Sequence, residues 1–260
     1  MRLCSIASGS SGNCIYVGSE ATHLLVDVGI SGKKAEAGLN SLGLTGRDLD
    51  GILVTHEHMD HVAGLGVMAR KYDVPIYATP GTLEEIQKME NLGKIDPELF
   101  REVKEDVKLT IKDLTVNPMK ISHDAAQPVG YRIAYGNKKV GICTDLGVYN
   151  DYTVECLLVE ANHDVKMLQV GPYPYYLKQR ILGERGHLSN ENSGKLLCRI
   201  LHDKLQAIVL GHLSKENNLP ELAYEAVRME ITMGENPYRA EDFRMMVADR
   251  SNVSPVINIA

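Results

Sequence analysis

Tryptophan is absent from this chain, and phenylalanine occurs only twice in 260 residues. Aliphatic residues and methionine must therefore fill the interior. Cysteine is scarce and badly placed for cross-linking. Cys4, Cys14, Cys143, Cys156 and Cys198 are scattered, odd in number and without a Cys-x-x-Cys pair. That excludes a disulfide framework or a zinc finger as the organising principle and points to a reducing compartment. Long hydrophobic runs are missing too, and none is long enough to span a bilayer. The opening Met1-Arg-Leu-Cys-Ser-Ile-Ala-Ser-Gly9 breaks into Gly and Ser before the apolar core of a signal peptide is complete. A cytoplasmic protein with no membrane segment is expected. Nor is positive charge in excess. A net charge of −6 excludes a surface that is basic everywhere, while leaving room for a local basic groove.

What is present is an ordinary globular balance, 44% hydrophobic and 24% charged. No repeat, low-complexity stretch or linker is visible, so residues 1–260 are expected to form a single domain. Strands are predicted over 2–7, 14–17 and 23–28, a helix over 33–42 and a buried strand over 51–55. Asp60 is predicted to cap a helix over 62–71. Strands over 108–112, 114–123, 130–135 and 139–144 read as a meander, with a turn at Gly136-Asn137. Strands follow over 156–160, 206–210 and 243–248. Helices are predicted over 175–181, after a Ser189 cap, and over 221–229. Two strand-plus-helix halves flank a connecting region, which fits a two-sheet sandwich with outer helices among other α/β layouts.

The informative segment is Thr55-His-Glu-His-Met-Asp-His61. Three of the nine histidines and an aspartate lie within six residues, directly after a buried strand. On extended backbone His56 and His58 point the same way. Asp60 and His61 come as the chain turns into a helix and face a second point nearby. Imidazole with carboxylate suits zinc, manganese or iron.

His-x-His-x-Asp-His resembles the signature of the metallo-β-lactamase superfamily, and the resemblance continues in order over most of the chain. Leu24-Leu-Val-Asp-Val-Gly29 resembles the strand-end motif whose carboxylate supports the His loop, a role it implies for Asp27. Ile121-Ser-His123, Ile142-Cys-Thr-Asp145 and Ala207-Ile-Val-Leu-Gly-His212 resemble the remaining ligand motifs. The resemblance implies an α/β fold, the four-layer αββα sandwich, and two divalent transition-metal ions. One would be held by His56, His58, His123 and Asp145, the other by Asp60, His61, Asp145 and His212.

Within that superfamily, Asp145 and the expected lack of a signal segment argue against secreted β-lactamases. Leu157-Leu-Val-Glu-Ala161 and Gly186-His-Leu-Ser189 resemble the Glu and His pair of ribonuclease Z-like enzymes. That implies catalytic roles for Glu160 and His187, with Asp60 orienting the attacking water. Glu-Ala-Asn162 departs from that group's His-Glu-Ala-Thr, which leaves Glu160 near even between this role and capping a neighbour. His187 serves as proton donor or ligand. Ala7-Ser-Gly-Ser-Ser-Gly-Asn-Cys14, His123-Asp-Ala-Ala-Gln-Pro128, Tyr173-Pro-Tyr-Tyr-Leu-Lys178 and Gly186-His-Leu-Ser-Asn190 resemble blocks of the YycJ/WalJ group. This implies a 5′→3′ DNA exonuclease with a dinuclear metal site. The alternatives are a small-molecule (cyclic) phosphodiesterase and a regulatory binding module.

The stretch from Lys166 to Lys204 holds seven basic and three acidic residues, a net +4 that suits a nucleic-acid backbone or a solvated helix face. Tyr175 and Tyr176 are read first as packing residues beside Pro174 and second as base-stacking groups. The Ala7-Ser-Gly-Ser-Ser-Gly-Asn13 run is read first as a turn and second as a phosphate cradle. His23, His163 and His202 are taken as surface or structural.

Overall fold

The apolar runs near the N-terminus form strands where their alternation predicts them. A computed structural model describes residues 1–146 and 153–260. β1 (Arg2–Ala7), β2 (Cys14–Gly18) and β3 (His23–Val26) pair antiparallel in sequence order. β3, β4 (Gly51–Leu53), β5 (Ile76–Ala78) and β6 (Phe100–Glu102) then pair parallel. Parallel neighbours need long crossovers. These contain α1 (Gly32–Ser41), then α2 (Met59–Val62) and α3 (Leu65–Tyr72), then α4 (Pro80–Lys88). Ala35 and Leu39 of α1 and Leu65 and Met68 of α3 pack into one core with Leu25, Ile52 and Val54. β7 (Leu109–Ile111), β8 (Leu114–Lys120) and β9 (Val129–Tyr135) form an antiparallel set. Gly136 follows β9 with φ 59°, the left-handed conformation expected of that turn.

The chain divides into two compact units. The first comprises Met1–Lys120, Ala125–Lys138 and Asp249–Ala260, the second Ile121–Asp124 and Lys139–Ala248. In the second, β10 (Lys138–Cys143), β11 (Cys156–Glu160), β12 (Ala207–Gly211) and β13 (Arg244–Val247) pair parallel in that order. Every residue of β11 and β12 is buried, as continuous apolar runs in parallel sheets are. The helices are α5 (Val165–Val170), α6 (Tyr175–Leu182), α7 (Asn190–Ile200) and α8 (Pro220–Met233). Ser189 caps α7 as predicted, its hydroxyl accepting from the Asn192 N–H. Back in the first unit, β14 (Ile257–Asn258) pairs antiparallel with β1.

Three sequence expectations need correction. The helix over 62–71 is two helices, α2 and α3, separated by Gly64. A Cβ on Gly64 would lie 2.1 Å from the Ile30 carbonyl oxygen, so the close approach there demands glycine. Asp60 does not cap a helix; His58 occupies the N-cap position and Asp60 lies in the first turn of α2. The strand over 114–123 ends at Lys120, which takes His123 off the strand. All five thiols are free, as expected, and four of them are buried. Burial pushes the Cys143 thiol up to about 12, which keeps it protonated and inert. No helix among the described residues is long and apolar enough to cross a membrane.

Candidate metal centre

The first unit builds its half of the site on Asp27. This carboxylate is fully buried at the end of β3. Its Oδ1 accepts from the Thr55 backbone N–H and its Oδ2 from the Thr55 hydroxyl, both at 2.8 Å. The same Oδ2 lies 2.8 Å from His61 Nδ1. One side chain thus pins both ends of the 55–61 loop, the support role predicted for it. With Nδ1 turned to Asp27, His61 presents Nε2 to Asp60 Oδ2 at 3.5 Å. His56 and His58 present Nε2 and Nδ1 to each other at 3.0 Å. Glu57 Oε1 accepts from the Ala126 N–H.

Asn13 was not among the predicted site residues. It closes the Ser8–Gly12 turn through its own Oδ1, which accepts from the Gly9 N–H. Its Nδ2 reaches the Asp60 carbonyl at 3.3 Å and His61 Nε2 at 3.2 Å. The run is therefore a turn, as first read, and its last residue touches the metal loop. The only sequence signal for this was its place in the Ala7–Cys14 block.

Gly29 shows how tightly the loop is seated. A Cβ there would fall 1.7 Å from the Asp60 carbonyl oxygen and 2.7 Å from the His61 nitrogen. No flexible side chain is available to yield, so Gly29→Ala must move the backbone carrying Asp60 and His61. The expected cost is about 1–3 kcal/mol, the scale of overpacking, together with weaker metal uptake. Melting the variant with and without added Zn²⁺ or Mn²⁺ checks this. A metal-induced rise in Tm equal to that of wild type would contradict it.

The second unit brings together His123, Asp145, Glu160, His187 and His212. Asp145 Oδ1 lies 3.3 Å from His212 Nε2, 3.6 Å from His187 Nδ1 and 3.8 Å from His123 Nε2. Donor atoms of Asp145, Glu160, His187 and His212 all fall within 4.8 Å of one another. Around a tetrahedral ion with ligands at ~2.0–2.1 Å, neighbouring donor atoms sit about 3.3 Å apart. The separations in both units approach that spacing, so the donor sets fit divalent metal ions. Asp27, Asp145 and His212 all adopt positive φ, 61°, 58° and 55°. Backbone strain of this kind persists where surrounding structure enforces it, and it collects at functional sites.

Glu160 is fully buried and organises this cluster. It accepts from the Leu146 N–H at 2.8 Å, from the Leu188 N–H at 3.2 Å and from His187 Nδ1 at 2.7 Å. Asn162, where the motif departs from Glu-Ala-Thr, donates to the His212 carbonyl at 3.0 Å. The departure has a structural use, holding His212 in its left-handed turn.

His163 is buried, as a structural rather than a surface histidine. Its Nε2 has no hydrogen-bond partner among the described residues. Desolvation lowers its pKa to about 4, with Glu160 partly opposing the shift. In the unfolded chain the group titrates near ~6.5. As pH falls, the unfolded state takes up this proton first. The stability it supports is whole above about pH 6.5 and is lost progressively down to about pH 4. Between about pH 7 and pH 5 the urea midpoint of wild type should therefore drop more than that of His163→Gln. Equal drops would remove His163 from the account.

Comparison with known proteins agrees with this geometry. The family model described as the β-lactamase superfamily domain matches residues 22–212. Exodeoxyribonuclease WalJ of Streptococcus pneumoniae serotype 2 is 42% identical over 225 residues, 84% of this chain and 84% of that protein. Exodeoxyribonuclease YycJ of Bacillus anthracis is 42% identical over 228 residues, 85% of this chain and 86% of its own. Among solved structures, the metallo-β-lactamase fold protein YhfI from Bacillus subtilis matches with a TM-score of 0.67 at 17% identity. That match covers 98% of this chain and 99% of that one. At such identity the likeness is one of fold, the α/β sandwich that the sequence implied.

Proposed function

The chain belongs to the β-lactamase superfamily, and from that membership we propose that it is a metal-dependent exodeoxyribonuclease working 5′→3′ in the cytoplasm. Residues 1–260 act as one domain. Two ions, zinc, manganese or iron, are held by His56, His58, His123 and Asp145, and by Asp60, His61, Asp145 and His212. When bound, they supply Lewis acidity to the phosphodiester and make water nucleophilic near neutral pH.

The chain's own side chains do the rest. The observation that carries the reading is the 2.7 Å contact between Glu160 and His187 Nδ1. It fixes the orientation of the imidazole, so that Nε2 can deliver a proton to the departing oxygen. Asp60 orients the attacking water. DNA labelled at one end or the other, incubated with Mn²⁺, tests the proposal. Mononucleotide release starting from the 5′ end is expected. Intact DNA alongside hydrolysis of a cyclic phosphodiester would transfer the function to small molecules.

A further inference from the structure

Tyr175 and Tyr176 open α6 and are 77% and 75% exposed. The packing role first expected of them is wrong: neither ring is buried. Two large aromatic side chains at consecutive positions are left in water, and Val170 of α5 is 86% exposed, apolar exposure that asks for an occupant. The backbone beneath is stiff. Pro172 and Pro174 flank Tyr173, each with φ fixed by its ring. The Lys178 ammonium donates to the Gln169 and Gly171 carbonyls at 2.8 Å, tying the end of α5 to α6.

The same helix is tied to the metal cluster at its other end. The Arg180 guanidinium pairs with the Asp124 carboxylate at 2.5 Å, directly after His123. The Ser122 hydroxyl donates to the Glu184 carbonyl at 3.0 Å, and the His187 N–H to the Ile181 carbonyl at 2.9 Å. Arg180 lies five residues beyond Tyr175, about 7–8 Å along the helix axis. Lys166 and Arg185 are exposed on either side of α6 in sequence. A rigid helix thus runs from an exposed aromatic pair to the residues that hold His123 and His187, with positive charge before and after it.

Resting on the exodeoxyribonuclease reading, we propose that Tyr175 and Tyr176 form a stacking platform for unpaired bases of a DNA strand entering the site. Aromatic faces accept any base, and nearby cations follow the phosphates, the combination that single-stranded nucleic acid requires. A polyanion is the occupant that the net +4 of this stretch selects, in a chain of net −6.

The test is binding of a 3′-fluorescein phosphorothioate single strand by anisotropy, for wild type, Y175A/Y176A and Y175F/Y176F. Unchanged melting of both variants shows that they are folded, as exposed positions allow. The alanine pair should weaken binding by about 5- to 160-fold per tyrosine lost. The phenylalanine pair should keep wild-type affinity, and a blunt duplex should lose less than the single strand. Wild-type single-strand affinity in the alanine pair overturns the platform, as does a phenylalanine pair as weak as the alanine pair. A wild-type dimer that the alanine pair dissolves without loss of DNA affinity also overturns it, assigning the face to a second copy. If wild type neither binds nor cuts DNA, the nuclease reading itself falls. Wild-type cutting with an indifferent alanine pair removes only the platform.

Discussion

Asp145→Asn is expected to strip the protein of metal while leaving it folded. The carboxylate is almost fully buried, and three imidazoles approach its Oδ1 at 3.3 to 3.8 Å. Those are long for hydrogen bonds, and for the proposed ligands His123 and His212 they are natural for donors sharing a cation with Asp145. In the proposed centre this residue serves both ions, so its loss is felt twice. Asparagine is the informative replacement, because it tolerates the φ of 58° that Asp145 adopts and keeps the shape while removing the charge. Metal analysis of fully loaded protein should find about two ions per chain in wild type and fewer than one in the variant. DNA hydrolysis should fall with the metal. A single tight ion in wild type, indifferent to the substitution, would end the dinuclear model.

How much of this was legible in the chain follows from distance along it. The 55–61 loop was readable because its donors lie within six residues and strand geometry aligns them. Asp27 and Asp145 were readable only as members of an ordered set, since a lone strand-end aspartate is usually a turn residue. Asn13 escaped because its partners, Asp60 and His61, lie 47 and 48 residues away, and a Gly-Ser run advertises only a turn. The cap assigned to Asp60 failed because His58 takes the N-cap position and Asp60 falls in the first turn, where its carboxylate lies 3.5 Å from His61 Nε2. Strands β5, β6 and β14, of three, three and two residues, are too short for alternation to register. The tyrosine pair was misread because proline beside an aromatic residue marks a turn without saying which way the ring points.

His187→Ala should cost turnover on DNA by about 10²–10⁴-fold, the usual scale for a general acid, while both metal ions stay bound. Two features separate His187 from the proposed ligands around it. Its side chain is 21% exposed, against 2% for His123 and 1% for His212, so it can meet a substrate. Its Nδ1 is already engaged by the buried Glu160 at 2.7 Å, which orients the ring and leaves only Nε2 for chemistry. His187 stacks nearly parallel to His212, at 5.4 Å and 13°, so alanine removes ring contact as well as the proton. His187→Gln is therefore the companion variant, preserving bulk and polarity without an ionisable group. Both should hydrolyse a nitrophenyl phosphodiester with a smaller loss than DNA, because nitrophenolate departs without a proton. If either variant loses an ion on metal analysis, His187 is a ligand and the assignment of His212 must change. If both cut DNA at the wild-type rate, the Glu160–His187 pair is structural, and the small-molecule phosphodiesterase becomes the better reading of the site.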